Sequence, residues 1–203
     1  MQKFIVLIAG ICILLTGSLS YAQQSAGENK PFEKFIVYQD KPSRNHYVPS
    51  GFIPNGKCVA IDDAWQQDCQ EGRSCIKNTF DRDCATLNMV WAGIYWLQPA
   101  NNWGDEKGGF NLSGAKKLVF WARGEKGGEV ISFKMGGVGL AAKYPDTDAA
   151  SLDPISLTKE WKEYSIDLTG KNLSHITGGF CWVGSAKDNQ SKTVFYLDNI
   201  YYQ

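Results

Sequence analysis

Short apolar runs rich in aromatic and β-branched side chains recur along the chain, separated by Gly, Asn, Asp and Pro. No segment carries the sustained apolar stripe of a long helix. This pattern predicts an all-β fold, a sandwich or a barrel. Strands are expected over 35–40, 58–62, 74–80, 90–97, 117–123, 129–135, 161–168, 176–183 and 193–202. Because strand side chains alternate, Leu118, Phe120 and Ala122 share one face and Val119, Trp121 and Arg123 the other. Tyr164, Ile166 and Leu168 likewise oppose Glu163, Ser165 and Asp167, and Val90, Ala92, Ile94 and Trp96 form a core face opposite Trp91, Gly93, Tyr95 and Leu97.

The connections carry their own turn chemistry. Gly-Glu-Lys-Gly-Gly at 124–128 is expected to close a hairpin, with glycine supplying positive φ. Residues 144–154, with Pro-Asp-Thr-Asp and Asp-Pro, are expected to form a long polar loop, a solvated connection or a lid or metal loop.

The ends change the picture. A positive head at Lys3, an apolar run over 4–15 and the triplet Ser20-Tyr21-Ala22 have the form of an export signal cut after Ala22. The run is too short for the ~20 residues of a membrane-spanning helix. Residues 1–22 are therefore expected to be a signal peptide, 23–30 a flexible leader and 31–203 one domain, secreted or periplasmic, monomeric, with no membrane span in the mature chain.

The 21 basic and 21 acidic residues cancel and are scattered, so no basic stripe exists to hold nucleic acid. Beyond Cys12 the cysteines are Cys58, Cys69, Cys75, Cys84 and Cys181. In an exported chain they would meet an oxidising compartment. The turn-like stretch between Cys69 and Cys75 suits a bridge, Cys58 with Cys84 is the natural second pair, and Cys181 reads as a buried small hydrophobe. Zinc is disfavoured: there is no CxxC pair, and the only histidines are His46 and His175.

The run Trp91-Ala-Gly-Ile-Tyr-Trp-Leu-Gln-Pro-Ala-Asn-Asn-Trp-Gly104, followed by Asn111-Leu-Ser-Gly-Ala-Lys-Lys-Leu-Val-Phe-Trp-Ala-Arg-Gly124, resembles secreted bacterial jelly-roll domains of the galactose-binding-like, carbohydrate-binding-module superfamily. His46-Tyr-Val-Pro-Ser-Gly51, Glu160-Trp-Lys-Glu-Tyr-Ser-Ile-Asp-Leu168 and Phe195-Tyr-Leu-Asp-Asn-Ile-Tyr201 extend the likeness over nearly the whole mature chain. The resemblance implies a jelly roll, a two-sheet antiparallel β-sandwich, that binds a polysaccharide or glycan. It also implies a structural calcium near the termini, for which Asp198, Asp40 and Asp62 or Asp63 offer themselves. The other reading of these acids is that Asp198 hydrogen-bonds a strand end and the rest are solvated.

Sugar rings dock their C–H faces on aromatic rings, while their hydroxyls need planar donors and acceptors. Trp91, Tyr95, Trp96, Gln98, Asn101, Asn102 and Trp103 supply that mixture, and alternation puts Trp96 in the core. Trp103, beyond Pro99 in a loop, either stacks on sugar or folds back over the edge of the core. Arg123, Glu125 and Glu129 either hydrogen-bond hydroxyls or form a salt-bridge cluster. The expected ligand-binding set is Tyr95, Asn102, Trp103, Arg123, Glu125 and Glu129, and the metal set Asp40, Asp63 and Asp198.

Three functions follow. The first is a non-catalytic glycan-binding domain with no catalytic residues. The second is a small glycosidase or lyase, for which Glu125 and Glu129 would be the carboxylate pair. The third is a structural or protein-docking domain of the envelope.

Overall fold

The alternating segments pair into two antiparallel sheets packed face to face. The computed structural model describes residues 31–54, 56–84 and 90–203; residues 31–203 form one unit. The expected signal peptide, 1–22, and leader, 23–30, lie outside the described residues. Among the described residues no helix is long and apolar enough to cross a membrane.

The strands are β1 (Phe35–Tyr38), β2 (Val48–Ile53), β3 (Val59–Trp65), β4 (Cys75–Phe80), β5 (Trp91–Leu97), β6 (Lys117–Gly124), β7 (Val130–Gly136), β8 (Ala149–Ser156), β9 (Lys162–Asp167), β10 (Gly178–Ser185) and β11 (Thr193–Tyr202). One sheet has the order β3-β4-β11-β6-β9, with β1 also pairing β11; the other has the order β2-β5-β10-β7-β8. The chain passes between the layers at nearly every connection, which is jelly-roll wiring.

The expected core faces of β5, β6 and β9 are observed, except that Val90, expected in the core, is exposed and Leu97, expected opposite it, is buried. Ala92, Ile94 and Trp96 of β5 are buried against Leu118, Phe120 and Ala122 of β6, with Phe133, Phe180 and Phe195 filling the middle. Their rings meet in tilted and edge-on pairs, Phe120 with Phe133 at 4.5 Å and Trp182 with Phe195 at 4.9 Å. The Trp182 indole N–H, sealed in the core, donates to Asn78 Oδ1 at 2.9 Å, which satisfies an otherwise costly buried donor.

Three expectations change. The 124–128 segment does not close a hairpin within one sheet, because β6 lies in the six-stranded sheet and β7 in the five-stranded one. Gly127 and Gly128 do take positive φ, 83° and 96°, but they turn the chain from one layer to the other. The polar loop expected over 144–154 gives way at Ala149 to β8, and β2 lies where no strand was expected. Both are edge strands with a single partner, so they tolerate Pro154 and Pro49 and expose alternate residues to water. Their weak apolar signal follows from that position.

Cys69 and Cys75 form the expected disulfide, with Cα atoms 5.4 Å apart. Cys181 is a free, fully buried thiol. Cys58 is disulfide-bonded; the side chain of Cys84, its expected partner, lies outside the described residues.

Candidate functional site

Each sheet has one outer face, and the two differ in what covers them. Over the six-stranded sheet lies the β3–β4 loop, stapled by Cys69–Cys75. The Asp198 carboxylate on β11 accepts the Gln70 and Glu71 N–H groups at 3.1 and 3.2 Å. Asn199 Nδ2 donates to Gln70 Oε1 and Glu71 Oε2, both at 2.9 Å, and the Trp161 indole N–H donates to the Asp68 carbonyl at 2.8 Å. Beside the loop, cations sit on rings: Lys77 Nζ lies 4.1 Å from the Trp65 centroid and the Arg123 guanidinium 3.9 Å from that of Tyr196. The loop covers part of this face and leaves beside it a cavity of about 410 Å³ lined by Asp68, Cys69, Arg123, Lys159, Glu160 and Trp161.

The outer face of the five-stranded sheet is open. Strand pairing sets Ile53 beside Gly93 and Gly93 beside Val183 in one row, and Gly51, Tyr95, Cys181, Lys134 and Ser151 in the next. Two adjoining cavities of about 320 and 270 Å³ share Tyr95 and Lys134 and make one groove across the strands. Trp91 (40% exposed), Ile53 and Val183 wall one end; Gly136, Gly137, Ala149 and Ser151 form the other. Tyr95 is held by its hydroxyl, which donates to the Gly136 carbonyl at 3.2 Å, and burial raises its pKa, so it remains a neutral ring. Trp103 meets Tyr95 edge-on at 5.9 Å. Its indole lies over Gly51, where a Cβ would come within 2.9 Å of the ring.

The expected binding residues are thereby divided. Tyr95, Trp103 and Asn102 belong to the five-stranded side. Of these, Asn102 is buried (3% exposed) and organises its own loop, donating to the Glu106 carbonyl and accepting the Gly104 N–H. Trp103 packs on the sheet rather than standing free in a loop. Arg123 and Glu125 belong to the six-stranded side: Arg123 stacks on Tyr196, and Glu125 Oε1 accepts the Tyr196 hydroxyl at 3.4 Å. Glu129 Oε1 accepts the Lys126 N–H at 2.8 Å within the interlayer turn. No ion pair joins these three among the described residues. Sequence reasoning did not single out Lys134, Ile53 and Val183; Trp91 was noted only as part of the aromatic and amide mixture.

The acids expected to hold calcium do not fit that ion. Asp40 Oδ1 already accepts the Arg73 and Ser74 N–H groups at 2.8 and 2.7 Å and the Ser74 hydroxyl. Asp198 accepts three backbone N–H groups, and Asp63 pairs with the Lys41 ammonium. Calcium needs six to eight oxygens free to face it, whereas these point at N–H donors and an ammonium. The one metal-like cluster among the described residues, Cys69, Cys75 and Asp198, has both sulfurs in the disulfide.

Burial drives the Asp198 carboxyl up to about 6, against the pull of the Glu71, Asn199 and Gln70 amides. A carboxyl whose folded pKa exceeds its unfolded one contributes stability that is complete below pH ~4 and lost as pH rises through ~6. Relative to Asp198→Asn, wild type should therefore lose on the order of 1 kcal/mol between pH 4 and 7, after solvent screening. Urea unfolding across that range measures this; a difference that does not vary with pH would sink it.

No protein-family model matches the chain, and no curated protein matches it in sequence. Solved structures do. It superimposes on a family 11 carbohydrate-binding module of a cellulosomal cellulase of Clostridium thermocellum with a TM-score of 0.54 and 12% identity, over 85% of this chain and 95% of that one. The chain shares its fold with this module. A family 30 module of another cellulosomal cellulase of the same organism gives a TM-score of 0.51 and 14% identity, over 84% and 97% of the two chains. A further family 30 module gives 0.52 and 16%, over 84% and 87%. At these identities the carbohydrate-binding-module likeness is one of architecture.

Proposed function

We propose that the protein is a non-catalytic carbohydrate-binding module that holds a polysaccharide chain in the groove of the five-stranded sheet and acts outside the cytoplasm. The observation that carries this reading is the open groove in which Trp91 and Tyr95 flank a floor kept low by Gly93. Aromatic rings there offer flat apolar faces to the C–H faces of sugar rings, and the groove is long enough to take a chain rather than one ring. Glycoside hydrolysis needs two carboxyl groups about 5–10 Å apart across the scissile bond. Among the described residues lining this groove none is acidic, which supports binding without catalysis. The Cys69–Cys75 disulfide suits an oxidising compartment.

Affinity electrophoresis through gels containing a panel of neutral and acidic polysaccharides tests the proposal. At least one polymer should retard the protein, and its free oligosaccharide should relieve the retardation. Unretarded migration through the entire panel would overturn it.

A further inference from the structure

We infer that the groove selects acidic polysaccharides, and that Lys134 is the residue that pairs with their carboxylates; this rests on the glycan-binding reading above. Lys134 projects from β7 between Cys181 of β10 and Ser151 of β8, is exposed, and borders both halves of the groove. Among the described residues it is the one charged side chain lining either half.

Several other lysines have a partner. Lys41 pairs with Asp63 and Lys171 with Asp148, while Lys34 lies 3.5 Å from the Tyr201 centroid and Lys77 lies on Trp65. Among the described residues Lys134 has neither a carboxylate in ion-pair range nor a ring beneath it. Asp146, which joins the loops at the groove's glycine end, is turned inward. Its carboxylate accepts the Val138, Thr177 and Gly178 N–H groups and leaves the groove without an acid. The Cys181 thiol between Lys134 and Tyr95 is buried and kept neutral by that burial.

The remaining polar side-chain groups of the groove are few. The Tyr95 hydroxyl is committed to the Gly136 carbonyl, which leaves Ser151 and the Trp91 indole N–H. A neutral chain presents hydroxyl donors as well as acceptors, and its donors need carboxylates or side-chain amides that these walls lack. A uronate chain carries its own negatively charged acceptor on the edge of each ring. Its C–H faces remain free for Trp91 and Tyr95. An ammonium flanked by aromatic and aliphatic walls is screened less than one in open water, so the pair gains strength from its setting.

The test is calorimetric titration of the protein with galacturonate and mannuronate oligosaccharides, and with neutral glucose and mannose oligosaccharides of equal length. It is run in low salt and again at about 0.3 M salt, where charges are screened within a few ångströms. The uronates should bind about tenfold more tightly than the neutral sugars in low salt and lose that advantage at high salt. Lys134→Gln should cost about tenfold on uronates and distinctly less on neutral sugars, with an unaltered unfolding temperature, while Lys134→Arg should retain most of the affinity. Neutral sugars binding as tightly as uronates, or uronate affinity unmoved by Lys134→Gln, would overturn the inference and leave the glycan-binding reading standing. Binding of neither class would overturn both.

Discussion

Replacing Trp91 with alanine should weaken glycan binding about 30-fold while leaving the fold nearly as stable as before. The indole is 40% exposed on the outer row of β5, with the core carried by Ala92, Ile94 and Trp96 behind it. Truncating it should cost the native state little, as exposed substitutions do, within about 0.5 kcal/mol. A tryptophan that anchors a ligand is worth about 2 kcal/mol or more, and 1.4 kcal/mol is tenfold in affinity. Arg123→Ala and Glu125→Gln, on the opposite face, should leave affinity unchanged. Titration calorimetry with the retained oligosaccharide, beside thermal unfolding, reads both quantities. Full affinity in Trp91→Ala, or a loss in Arg123→Ala, would move the site to the other sheet.

Gly93→Ala should destabilise the protein by about 3 kcal/mol, a fall of roughly 6–12 °C in Tm for a domain of this size. A Cβ at Gly93 would lie 2.1 Å from the Trp182 carbonyl oxygen and 3.1 Å from Val183 Cγ2. The first contact is with backbone in the ladder between β5 and β10, so no rotamer change relieves it. The strands must part, and with them the core below, where Trp182 packs on Phe195. Because Gly93 also lies in the groove floor between Trp91 and Tyr95, ligand affinity should fall as well. Thermal unfolding of the variant decides this, and an unchanged Tm would show that the sheet yields without cost.

The parts of this protein legible in its sequence are those in which a side chain's fate depends on its neighbours along the strand. All nine expected strands exist, and the core faces of β5, β6 and β9 follow from alternation, since a strand buried on one side must repeat apolar residues with period two. The two strands that escaped, β2 and β8, are edges whose residues answer to one partner and to water. The Cys69–Cys75 bridge was legible for the same local reason, a short turn between two cysteines.

What lies between strands distant in the chain was decided by tertiary structure. Arg123 and Tyr95 look like parts of one aromatic and polar cluster until β5 and β6 fall into different layers, which sends them to opposite outer faces. Glu125 and Glu129, read as the carboxylate pair of a glycosidase or lyase, flank a turn that crosses from one layer to the other. Asp40 and Asp198 read as metal ligands, but the folded β3–β4 loop brings backbone N–H groups to both. Lys134 has no local signal, because its meaning comes from its neighbours on β8 and β10 and from the absence of an acid among the groove-lining residues. Sequence alone determined a jelly-roll sandwich and an aromatic face on β5. How the two outer faces differ was set by a disulfide-stapled loop laid across one of them, an arrangement of long-range hydrogen bonds that no local periodicity encodes.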